Sequence, residues 1–132
     1  MNPHTILVLS YIAFEWLVIL HTFEEISAGI MDAQIGSIKL TKRKYLTGAS
    51  LITTVNLGTL ALIAAGSLAG YYLGFFTTAI FGTFQAVIHI FGYFRDQRSS
   101  RGLVTGVFSS IPLAIVALLV FVQLINSVFY FH

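Results

Sequence analysis

The sequence predicts an all-α fold, an integral membrane bundle of four transmembrane helices forming a single domain over residues 1–132. Three observations predict it. The chain is 57% hydrophobic and 9% charged, with a mean hydropathy of +0.88, whereas a soluble domain is about a quarter charged. Apolar stretches recur over about 5–28, 45–65, 70–94 and 103–130, each long enough for a hydrocarbon core about 30 Å thick, which takes roughly 20 helical residues. Every Lys and Arg falls in the first connection (Lys39, Lys42, Arg43, Lys44) or the third (Arg95, Arg98, Arg101).

That charge bias sets the expected topology. With four spans the first and third connections share a side, and the positive-inside rule makes it cytoplasmic. The expectation is a multi-pass protein of the cell (inner) membrane with both termini non-cytoplasmic. Met1 to Leu9 holds no Lys or Arg and Glu15 interrupts the apolar stretch, so the start does not read as a signal peptide. A net charge of +2 in two short clusters is no nucleic-acid footprint. The absence of cysteine excludes disulfides and thiolate metal sites.

The first span carries most of the groups that are costly in lipid: Glu15, His21, Glu24 and Glu25. The second contributes Thr53, Thr54 and Asn56. The second connection reads as an uncharged turn over Gly66-Ser67-Leu68-Ala69-Gly70. The third span holds small residues at a spacing of four (Gly66, Gly70, Gly74, Thr78, Gly82, Ala86), a row that lets a neighbouring helix approach closely. It also carries Gln85 and His89. The fourth span is the most apolar, with Ser109, Ser110 and a kink expected at Pro112. Tyr45, Tyr71, Tyr72 and Tyr130 fall near the membrane interfaces, where amphipathic rings settle.

Spacing and depth bring some of these together. On a helix His21 meets both Glu24 (i,i+3) and Glu25 (i,i+4), and Gln85 stands i,i+4 from His89. The first and third spans are parallel, and His21 and His89 lie at similar depths before the ends of their spans. Two imidazoles and two carboxylates then converge just inside the cytoplasmic face. No Lys or Arg lies within a span to neutralise the acids, which leaves bound protons or a cation. Two histidines with one or two carboxylates are a ligand set for Zn, Fe or Mn. The competing reading leaves His21, Glu24 and Glu25 solvated at headgroup level, with Lys42 or Arg95 neutralising the acids and His89 a hydrogen-bonded core histidine. Glu15 lies near mid-bilayer, where a surface explanation fails. His4 and His132 read as solvated end residues.

The string His21-Thr22-Phe23-Glu24-Glu25 resembles the motif of the HXXEE family of small multi-span membrane proteins. The resemblance extends to Gln85 and His89 in the third span and to a glycine-containing turn, Gly102-Leu103-Val104-Thr105. The family pattern has asparagine where this chain has Gln85, and proline before the turn glycine where it has Arg101. The resemblance implies a site at His21, Glu24, Glu25, Gln85 and His89 and leaves the reaction open.

The leading expectation is a membrane-embedded metal-dependent enzyme, a hydrolase or an oxidoreductase, acting on a lipid-soluble small molecule near the cytoplasmic face. His21, Glu24, Glu25 and His89 are the expected ligands of a divalent transition metal. Glu24 doubles as a general base, Gln85 orients a ligand or substrate, and Glu15 is a second acid toward the substrate channel. The alternatives are a small proton-coupled transporter using Glu15 and a non-catalytic assembly subunit. Homo-oligomerisation through the small-residue row or lipid-facing residues is compatible with each.

Overall fold

The computed structural model describes residues 2–27, 34–35, 38–39, 41–95 and 106–129. The expected turn over 102–105, together with Arg98, Arg101, Tyr130 and His132, lies outside them. The elements are α1 (Pro3–Ser27), α2 (Lys42–Ala64), α3 (Leu68–Thr77), a π-helical stretch (Thr78–Phe84), α4 (Gln85–Arg95) and α5 (Val107–Phe129). In the first connection Gln34–Ile35 pairs antiparallel with Ile38–Lys39, a two-residue ribbon that leaves the fold all-α.

α1, α2, the continuous run Leu68–Phe94 and α5 are each long and apolar enough to cross a membrane. Their outward faces carry Trp16, Phe94 and Phe108, all well exposed. Such an outside suits lipid and not water. The chain is a four-helix membrane bundle.

The core is built mainly by α1 and α5, which pack extensively on each other. α1 supplies Leu7, Tyr11, Phe14 and Val18, and α5 supplies Leu113, Ala117, Val120 and Leu124; Ile63 and Tyr71 complete the cluster. α2 pairs chiefly with α3 through a tighter turn than the sequence suggested. Gly66 adopts φ +69°, Ser67 N–H donates to Leu62 O (2.9 Å) and Gly66 N–H to Ile63 O (2.9 Å). This pair of bonds satisfies the last carbonyls of α2, and only glycine takes that backbone conformation without strain. Helix resumes at Leu68, so Gly70 is helical. A Cβ on Gly70 would stand 2.6 Å from Ile63 N, which shows how closely the two helices approach.

The small-residue row is a packing seam. Gly74 faces Leu124 and Ile63, and Gly82 faces Ala117 and Phe14. The π-helical stretch keeps the row on one side. At about 3.6 residues per turn, a buried stripe through Gly70, Gly74 and Thr77 would continue near Phe81, Gln85 and Ile88. It runs instead through Thr78, Gly82, Ala86 and His89, while Phe81 and Gln85 are half-buried and Ile88 faces outward. The wider π turns absorb one extra residue, and that shift turns His89 inward.

Candidate functional site

The site occupies the end of the bundle where α1 and α4 finish and α2 and α5 begin. His21 and Glu25 come from the last two turns of α1, His89 from α4, Tyr45 from the first turn of α2, and Gly106 and Ser109 from the start of α5. His21, Glu25 and His89 are 1%, 6% and 3% exposed, which excludes the reading of His21 and Glu25 as headgroup-solvated. Residues 68 positions apart meet directly: His21 Nε2 lies 3.1 Å from His89 Nε2, with the rings edge to face at 82°.

Glu25 Oε1 completes a triangle, 3.6 Å from His21 Nε2 and 3.2 Å from His89 Nε2. Its other oxygen, Oε2, accepts from Tyr45 O–H at 2.7 Å. One N–H on His89 Nε2 can be shared between His21 Nε2 and Glu25 Oε1. The same spacing also fits a metal. Ligand atoms 2.0–2.2 Å from a tetrahedral metal stand about 3.3 Å apart, close to the 3.1, 3.2 and 3.6 Å found here. These three atoms could hold a divalent ion and leave a further coordination position open.

The surroundings fix this arrangement. Ser109 Oγ is 2.8 Å from His21 Nδ1 and donates to Gly106 O at 3.3 Å. That order leaves Nδ1–H as donor to Ser109 and the Nε2 lone pair aimed at Glu25 and His89. A second hydrogen bond of this kind sets tautomer and ring orientation in histidine metal sites. Gly106, with φ +100°, lies against both rings: a Cβ there would be 2.8 Å from His21 Cε1 and 3.1 Å from His89 Cε1.

Glu24 has a different partner from the one expected. Its Oε1 accepts from Gly106 N–H at 3.0 Å and its Oε2 from Ser109 N–H at 3.3 Å. It is a cap contributed by another helix, satisfying amides that α5 leaves unpaired and lying at the positive end of its dipole. It therefore stands outside the three-atom group. Gln85 is half-buried one turn before His89 and is also outside the group. Glu15 is buried in the middle of α1, about ten residues or 15 Å along the helix from Glu25.

Sequence reasoning did not assign Ser109, Gly106 or Tyr45 to the site. Ser109 was visible as a polar group in an apolar span. Their proximity to His21 and Glu25 is a matter of bundle packing.

The fold and site define a class: a four-helix membrane protein whose bundle encloses a two-histidine, one-carboxylate cluster at one end. The family described as "protein of unknown function with HXXEE motif" matches residues 12–117. The chain belongs to the HXXEE family. No curated protein and no solved structure matches it.

Proposed function

We propose that the protein is a membrane-embedded metal-dependent enzyme acting on a lipid-soluble small molecule. His21 Nε2, His89 Nε2 and Glu25 Oε1 hold the metal (Zn, Fe or Mn), with the remaining position open to water or substrate. The single observation that carries this reading is the triangle of 3.1, 3.2 and 3.6 Å, drawn by α1 and α4 inside a closed bundle. Three protein ligands with an open position are the pattern of catalytic zinc, and two histidines with one carboxylate that of non-haem iron. Bound metal supplies Lewis-acid activation at that position.

Ser109 positions His21, Tyr45 positions Glu25, and Glu24 anchors the start of α5 beside them. Phe23 and Phe108, sequence neighbours of Glu24 and Ser109, face outward and are exposed, which favours entry of substrate from lipid. The basic residues at this end, Lys42–Lys44 among them, favour a cytoplasmic placement under the positive-inside rule. The seam of the third span is used within the chain, so a homo-oligomer would pair through lipid-facing residues.

Elemental analysis of the purified protein tests this reading. Zinc would assign the hydrolytic class and iron the oxidative one. Less than about 0.2 metal per chain, unchanged by His21→Ala, would refute metal binding at this site.

A further inference from the structure

A second polar cluster lies deep in the bundle, apart from the histidines. α2 buries only Asn56, Thr59 and Ile63, so two of the three residues it turns inward are polar. Asn56 faces Glu15 of α1. Thr59 faces Tyr11, which stands one turn before Glu15 on α1, and Tyr11 O–H lies 2.6 Å from Thr77 Oγ1 at the start of the π-helical stretch. All are at most 3% exposed. Both carboxyl oxygens of Glu15 and both amide atoms of Asn56 lack a hydrogen-bond partner of good geometry. Buried polar groups are rarely left so, and in lipid no water comes from outside to satisfy them.

We propose that Glu15, Asn56, Thr59, Thr77 and Tyr11 form a binding site for a small monovalent cation of sodium's size. The donors are all oxygens, hard ligands suited to a hard cation and not to a transition metal. One carboxylate balances one positive charge, and no Lys or Arg lies in the interior of a span to do so. A divalent ion would leave the buried site charged.

The test is thermal unfolding of the full-length protein, followed by Trp16 fluorescence, in sodium, potassium or choline chloride at about 0.15 M. Sodium is expected to raise the midpoint by about 5 °C or more over choline. Glu15→Gln abolishes the difference, whereas Glu25→Gln at the histidine site keeps it. Equal midpoints in sodium and choline overturn the proposal, as does a sodium response that survives Glu15→Gln. A response to potassium equal to that to sodium overturns the assigned ion size. If Glu15→Gln does not fold, Thr59→Val removes one oxygen without changing charge. It should raise the sodium concentration at half-effect about tenfold, and an unchanged value overturns the site.

Discussion

Gly106→Ala is the most informative small perturbation of the histidine site. The new methyl carbon would stand 2.8 Å from His21 Cε1, 3.1 Å from His89 Cε1 and 3.3 Å from His89 Nδ1. Carbon atoms rest at about 3.5–4.0 Å, so the His21 ring must retreat by roughly 0.7 Å. Metal–ligand distances tolerate only about 0.2 Å. The backbone adds its own cost: φ is +100° at this residue, and holding alanine there costs about 1–3 kcal/mol. The predicted result is a metal affinity at least about tenfold lower, on the scale seen when supporting groups of metal ligands are removed, with a lower unfolding temperature. Chelator competition measures the affinity and thermal unfolding the stability. Gly58→Ala is the control, because nothing lies within 4 Å of a Cβ there. Wild-type metal affinity in Gly106→Ala, or an equal loss in Gly58→Ala, would refute the claim that Gly106 sets the separation of the two rings.

Other expectations follow from the same geometry. Glu24→Ala removes a helix cap, so it should lower stability by about 0.5–2 kcal/mol while the bound metal remains; metal loss in a folded Glu24→Ala protein would restore the ligand role. Ser109→Ala frees His21 Nδ1 and should weaken metal binding about 10–100-fold with the stoichiometry kept, checked by chelator competition. Metal affinity should fall with acidification, because both imidazoles and the carboxylate must be unprotonated to bind; a titration from neutral to acid pH reads this, and a flat profile would contradict it. Gly82→Leu should unfold the bundle or lower its midpoint sharply, since even a Cβ there collides with Ala117.

Much of this fold was legible from composition. The four spans end within a few residues of the helices found, because lipid demands unbroken apolar length and each break carries charge or glycine. The meeting of His21 and His89 was also legible, since parallel spans and matched distance from the span ends fix depth. Rotation about each helix axis was not. No residue from Thr78 to Phe84 announces the π-helical stretch that turns His89 inward. Glu24 and Glu25 look equivalent in the motif, yet about 100° of rotation separates neighbours on a helix. One therefore reaches His89 and Tyr45, and the other the amides of α5. Glu15 stood out at once as an acid at mid-bilayer, but its placement beside Asn56 required the packing of α2 against α1.

X-ray absorption at the edge of the co-purified metal reads its ligands at the histidine site. Two imidazole nitrogens and one carboxylate oxygen are expected at about 2.0–2.2 Å, with one imidazole shell lost in His89→Ala and another in His21→Ala. A shell of solvent oxygen alone, or one that both variants leave unchanged, would contradict this expectation.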